Sequence, residues 1–388
     1  MARHYLDHAS TSPIRPTALA VTTEAATLSN QGVLADPGRI HTEGMTSRVA
    51  LEDARSQVAG AIGCSSREIV FTSGASESIA AVTWGSVRRA VDKGTVPHIV
   101  HSSVEHSSVR ESSAMFVEAF GGRTSVIGVD HHGRIDVAAF IDALSPDTAL
   151  AHIQWGNHEV GTLQPISEVI GACRELGVLV HIDATQAVGR IPVDFGSLGA
   201  DLMSFGGHEF GAPGGVGVMI VRKGLRIAPL IVGGEQERAR RAGTENIVGL
   251  LALGSTMVEL DDRHIAAERE RSEALIARTV ESLTSLEGVE LLGDPDPQRR
   301  LPHIACLAIA GVEPQGVVLG LDQRGIAVHS GSSCASEGLE PSPVLEAMGA
   351  DAHRSLRVSV GWNTTDADIE ALCAAVPEVV GQLRALAG

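Results

Sequence analysis

The chain is expected to fold as an α/β protein around a mostly parallel sheet, with a smaller α+β lobe toward its C-terminal end. Two observations carry that expectation. From about residue 60 to 225, short apolar runs alternate with helical patterns, and after a long polar-faced helical pattern at about 265–286 two fresh strand-like runs appear. Strands separated by helices are joined by crossovers, which place parallel strands in the middle and helices on both faces.

In chain order, residues 68–71, 98–101, 149–153, 178–182 and 216–221 are apolar runs too short for helices, and they fit buried strands. Ile166, Val169, Ile170 and Cys173 recur at i, i+3, i+4 and i+7, the signature of a helix with one apolar face. Residues 304–309 and 356–360 supply the strands of the second lobe. The boundary is placed near residue 260, giving a large domain of 14–260 and a small one of 1–13 with 261–388. No internal repeat of 20–50 residues is visible.

With 388 residues and 44% hydrophobic content, the chain has enough apolar surface for a sizeable core. No apolar run reaches the ~18 residues of a membrane span. The opening Met1-Ala2-Arg3-His4-Tyr5-Leu6-Asp7 is too polar for a secretory leader, so no membrane role and a cytoplasmic location are expected. The net charge of −17 opposes sequence-independent nucleic-acid binding, which depends on cationic side chains displacing counterions. Cys64, Cys173, Cys306, Cys334 and Cys373 are scattered and lack CxxC spacing, so neither a disulfide framework nor a zinc ribbon is indicated. Four of them sit among apolar residues and are expected in the core. Cys334, between Ser333 and Ala335, suits an exposed reactive loop.

Several segments carry chemistry. Phe71-Thr72-Ser73-Gly74-Ala75-Ser76-Glu77-Ser78 is a Gly/Ser turn between a strand and a helix, a place where backbone N–H groups meet an anion. Val104-Glu105-His106 and Gly156-Asn157-His158 place histidines after strand-like runs. Asp183, in Ile182-Asp183-Ala184-Thr185-Gln186, ends an apolar run where a carboxylate without a cationic partner would be costly. Ser204-Phe205-Gly206-Gly207-His208-Glu209-Phe210 precedes a glycine-rich turn, and Gly233-Gly234-Glu235-Gln236 leads to Arg241-Ala242-Gly243-Thr244.

Taken together, and from end to end, these segments resemble the cysteine desulfurases of the NifS/IscS type, which bind pyridoxal phosphate (PLP) on a class V aminotransferase-like fold. The resemblance implies the PLP-dependent-transferase (fold type I) architecture, with a mostly parallel seven-stranded-type sheet, and a homodimer. It also implies conversion of L-cysteine to L-alanine, with sulfur carried as a persulfide on Cys334 toward an acceptor protein. By the same resemblance Gly74, Ala75 and Ser76 cradle the phosphate, and His106 stacks on the ring and moves protons. Asp183 pairs with the ring nitrogen, and Gln186 bonds the ring hydroxyl. Thr244 reaches the neighbouring subunit's phosphate, and Arg357 holds the substrate carboxylate.

Three departures cluster in that pocket. Glu209, after His208, stands where the family's lysine holds PLP covalently through its amine, which a carboxylate cannot do. His158 stands where an asparagine touches the ring hydroxyl, and Gly206 where a serine binds the phosphate. Lys93 and Lys223 are the chain's two lysines, and neither lies in a motif. PLP is therefore expected to be noncovalent or absent, and ordinary catalysis absent or impaired. Two alternatives stay open: a noncatalytic paralogue serving as dimer partner, scaffold or persulfide relay, and a lysine-independent enzyme using PLP or its amine form with Glu209 or His208 as base. His106, His158, Asp183, His208 and Glu209 offer zinc-type ligands, yet inherited polar residues rather than a metal are expected. If the roles transfer, Glu209 and Asp183 face one cavity.

Overall fold

Among the described residues twelve strands organise the fold: β1 (His4–Tyr5), β2 (Ile69–Thr72), β3 (His98–Ser102), β4 (Arg123–Ile127), β5 (Thr148–Gln154), β6 (Val180–Asp183), β7 (Leu202–Gly206), β8 (Gly217–Val221), β9 (Val289–Leu292), β10 (Ile304–Ile309), β11 (Ile326–Ala327) and β12 (Ser355–Ser359). They come from a computed structural model that describes residues 3–331 and 341–387. The central sheet has seven strands in the order β2-β8-β7-β6-β5-β3-β4. All of its pairings are parallel except those of β8, which runs antiparallel to both β2 and β7.

The strands form because their residues are buried on both faces: every residue of β2, β3, β6, β7 and β8 is buried. Crossover helices Ala75–Asp92, Ser107–Glu118 and Ile166–Leu176 cover the sheet. In the last of these the buried positions are Ile166, Val169, Ile170 and Cys173, the face that the 3.6-residue period marks. Strand β4, by contrast, is a sheet-edge strand with exposed and half-buried residues, so no apolar run announces it.

Helix Ile247–Glu259 ends just before residue 260, and helix Asp262–Thr284 starts at the Asp261 cap, whose carboxylate accepts from the Arg263 and His264 N–H groups. Beyond it β9, β10 and β12 form an antiparallel sheet in the order β12-β10-β9. Its core includes Leu275, Leu307, Val358 and Val376 together with Leu6, so the first residues of the chain pack with the last ones. The β1–β11 pairing and the Asp7–Ser359 bridge tie the same ends. Among the described cysteines, Cys173 and Cys306 are buried, whereas Cys64 and Cys373 are only half-buried and correct the expectation of four core thiols. Cys64 sits past the end of helix Thr42–Ala61, and Cys373 packs only partly against the second core. Among the described residues no helix is long and apolar enough to cross a membrane.

Candidate active site

The parallel strands end together on one side, and there the chain opens a cavity of about 450 Å³. This is the usual ligand position in open α/β sheets, outside the carboxyl ends of the strands. Strand β5 delivers Gln154, β6 delivers Asp183, and the turns after β2, β3 and β7 deliver Ser73, His106 and Glu209 to its wall. Asp183 and Glu209 therefore face one cavity, as expected.

One wall is suited to an anion. Helix Ala75–Asp92 begins at Gly74 with no side-chain cap, so first-turn N–H groups face the cavity beside Ala75 and Ser76. Glu77, on the same turn, is neutralised by Arg241, whose Nε donates to it at 2.8 Å. The turn is held from behind by β8: a Cβ on Gly217 would lie 2.5 Å from Gly74 backbone atoms. Gly217→Ala is accordingly expected to push the turn into the cavity and cost about 1–3 kcal/mol, the usual range for overpacking. Thermal unfolding would read the loss, and an unchanged midpoint would contradict it.

The opposite wall is polar and buried. Asp183 Oδ1 accepts from the Thr185 N–H at 3.0 Å and hydroxyl at 2.5 Å. Burial raises its carboxyl above the usual range, and those two hydrogen bonds oppose the rise. His106 caps helix Ser107–Glu118, its Nδ1 accepting from the Ser108 N–H at 3.1 Å. The neutral ring thus carries its proton on Nε2. Burial lowers its pKa, with Asp183 opposing. His158 crosses His106 edge to face, with ring centres 5.1 Å apart. Burial holds His158 well below the usual histidine range, and its Nε2 finds no hydrogen-bond partner among the described residues. Gln186 is already committed, its amide donating to Ala9 O at 2.9 Å while its Oε1 lies 3.1 Å from His303 Nε2.

Glu209 lies on the short 3₁₀ turn His208–Phe210 that follows β7. Three side chains clamp this turn through its carbonyls: the Ser12 hydroxyl donates to Glu209 O at 2.8 Å, Arg190 to the same oxygen at 2.6 Å, and Arg15 to Phe210 O at 2.8 Å. The clamp leaves the Glu209 side chain 8% exposed at the cavity wall. Its Oε1 is 3.2 Å from His208 Nε2, and its Oε2 has no hydrogen-bond partner among the described residues. Burial first, then the charge of Asp183, pushes its pKa up to about 8. Gly206 makes this position accessible: a Cβ there would stand 2.5 Å from Glu209 Oε2.

Arg357, on β12, is buried at the cavity and largely occupied: Nη1 donates to His158 O at 2.9 Å, and Nη2 to Asp7 at 2.9 Å and Ser10 at 2.6 Å. Its Nε has no partner among the described residues. Thr244 is exposed and does not line this cavity. Cys334 lies outside the described residues. Gly74, Ala75, Ser76, Gln186 and His208 do converge there, whereas Gly206 lies behind Glu209 and does not itself line the cavity.

Sequence reasoning overlooked Thr185, Glu105 and the Ser12–Arg190 clamp as parts of the site. Thr185 sits inside the Asp183 motif and was findable as a local side-chain bond to Asp183. Glu105, the residue before His106, is buried, accepting from the Ser102 hydroxyl at 2.6 Å and the Gln154 N–H at 3.1 Å, and burial pushes its pKa up to about 8. The clamp joins residues far apart in sequence and had no local signal.

These residues fit a phosphorylated pyridine ring: an uncapped helix end for the phosphate, a buried carboxylate for the ring nitrogen, and an imidazole alongside. They do not fit covalent attachment. No lysine lines the cavity. Lys93 follows the far end of an 18-residue helix, about 27 Å from its start at 1.5 Å per residue, and Lys223 is exposed past β8. No group of three or more His, Cys, Asp or Glu among the described residues is placed to hold a metal ion.

Comparison with known proteins agrees with this geometry. The class-V aminotransferase family profile matches residues 4–372. A cysteine desulfurase of Gluconacetobacter diazotrophicus is 37% identical, covering 98% of this chain and 94% of that one. The cysteine desulfurase IscS of Methanosarcina thermophila is also 37% identical, covering 98% and 92%. Among solved structures, a NifS-like protein superposes with a TM-score of 0.89 at 28% identity, covering 98% of this chain and all (100%) of the other.

Proposed function

The chain belongs to the class-V aminotransferase family, within its NifS/IscS-like cysteine desulfurases, and on that premise we propose that its cavity holds a pyridoxal ligand without a covalent bond and that its L-cysteine desulfuration is absent or strongly impaired. The observation that carries the reading is the Glu209 carboxyl, buried at the cavity wall where the family's lysine is expected and with no amine side chain beside it. When bound, the ligand's ring supplies an electron sink for bond cleavage at an amino acid.

The chain's own residues have definite tasks in this reading. Asp183, oriented by Thr185, faces the ring nitrogen. The uncapped turn at Ala75 and Ser76 takes the phosphate, weakened by the absence of a hydroxyl at Gly206. Glu209 holds its proton at neutral pH, since its pKa is about 8, so most molecules have no carboxylate there to remove a proton from substrate. Arg357, tied to Asp7, has little free donor capacity for a substrate carboxylate. An apolar surface at Ile40, Met45 and Val49, exposed by 95%, 43% and 58%, supports a homodimer, with Thr244 free to reach toward a second copy.

A second reading, with His208 as a base, has one observation in its favour. Burial lowers the His208 pKa, so the ring is neutral at pH 7 and able to accept a proton, although its Nε2 is engaged with Glu209. The binding reading is tested by loading the protein with PLP and dialysing it. The cofactor is expected to leave, and Asp183→Asn is expected to weaken binding roughly 10- to 100-fold, as for loss of a charged hydrogen bond. A pyridoxyl group fixed by borohydride reduction on a residue that lines the cavity would overturn it.

A further inference from the structure

We propose that the cavity selects the amine form of the cofactor, a phosphorylated pyridine bearing a primary ammonium, over the aldehyde form, with Glu209 as the acceptor and Gly206 as the residue that makes room for it. The proposal rests on the binding reading above and goes beyond it by assigning the ligand's functional group.

Glu209 Oε2 is a buried oxygen with no partner among the described residues, on a side chain 8% exposed. Such an atom costs about 1–3 kcal/mol until it is satisfied, so the free site favours a ligand that reaches it, and the ionised carboxylate, which only accepts, is satisfied by a ligand that brings donors. Glu209 and Gly206 also act as a set. A Cβ at position 206 would lie 2.5 Å from Oε2 and 3.0 Å from Oε1, so any side chain there would displace the carboxyl.

The local charge points the same way. The groups facing the Glu209 carboxyl are Asp183 from β6, His208 on its own turn, and Arg190, whose guanidinium is held on the Glu209 carbonyl. Asp183 and Glu209 are both acids, and burial keeps the nearby His106, His158 and His208 neutral. An aldehyde presents only an acceptor oxygen to this wall, so at most it takes the single O–H of the protonated Glu209 carboxyl. A primary ammonium presents three donors and a positive charge, and its charge-assisted hydrogen bonds to a carboxylate are roughly twice as strong as neutral ones.

Pairing with a cation favours the ionised form of Glu209, whose pKa is about 8 in the free protein. Binding of the amine form near pH 7 should therefore release up to about one proton from this residue. The aldehyde brings no cation to this wall and leaves the proton in place.

Calorimetric titration of the full-length protein with pyridoxamine 5′-phosphate and with PLP, each in two buffers of different ionisation heat at pH 7, tests this without any turnover. The amine form is expected to bind at least about 10-fold more tightly, a difference of 1.4 kcal/mol. It should also release more protons in the unmodified protein than in Glu209→Gln, and both Glu209→Gln and Gly206→Ser should lose the preference. Equal or tighter binding of the aldehyde by the unmodified protein overturns the proposal while leaving the binding reading intact. Binding of neither form overturns both. A preference that persists unchanged in folded Glu209→Gln assigns it to other residues and likewise overturns the proposal.

Discussion

Glu209→Lys is expected to create covalent capture of PLP and to raise alanine formation from L-cysteine by roughly 10²–10⁴-fold, the usual contribution of a positioned general base. The backbone of the turn is already clamped by Ser12, Arg190 and Arg15, so a side chain at 209 is aimed into the cavity whatever its chemistry. An amine there supplies both the covalent link and a proton acceptor, neither of which the carboxyl provides near neutral pH. Borohydride reduction followed by mass analysis should find a pyridoxyl group at position 209 in the variant and none in the cavity of the unmodified protein. Gly206→Ser combined with Glu209→Lys should hold the phosphate more tightly still, because a hydroxyl returns to the cradle once the carboxyl no longer fills that space. A folded Glu209→Lys variant without a pyridoxyl adduct would mean that position 209 is not where the cofactor's reactive carbon comes to rest.

Glu209→Gln should change how stability depends on pH. In the folded protein Glu209 keeps its proton to about pH 8, whereas an unfolded glutamate loses it near 4.3. Folding takes up a proton between those values, so the contribution of this group is fully present below the unfolded pKa and is lost as pH rises through the folded one. The slope is about 1.4 kcal/mol per pH unit for one such group. The variant lacks that proton and should gain on the unmodified protein as pH rises from 5 to 8, by up to about 4 kcal/mol. Glu105 also titrates at about 8 and remains in the variant, so both proteins should weaken with pH, the variant less steeply. Thermal midpoints at pH 5, 6, 7 and 8 measure it. Parallel curves would mean that Glu209 is ionised in the folded state.

The legible parts of the fold were those where local pattern and burial coincide. Runs such as 98–101 and 216–221 stand out because both faces of those strands are covered. Strand β4 did not, because an edge strand with polar residues carries no continuous apolar signal. The site was readable wherever a turn holds its own chemistry: Gly74 to Ser76, His106, Asp183 and Glu209 lie within motifs and meet at one cavity. What a linear reading cannot supply is the reason Gly206 and Glu209 occur together, which is competition for one volume. Nor does it show that Arg357 is already paired with Asp7 across 350 residues of sequence. Glu105 was hidden for a related reason, since a buried neutral carboxyl has no sequence pattern of its own.

Counting alanine decides whether this cavity lacks the group needed for ordinary desulfuration. The unmodified protein, saturated with PLP and supplied with L-cysteine, should form no more alanine than PLP alone in buffer. Several molecules of alanine per protein chain, formed by the protein without any lysine at the cavity, would contradict it.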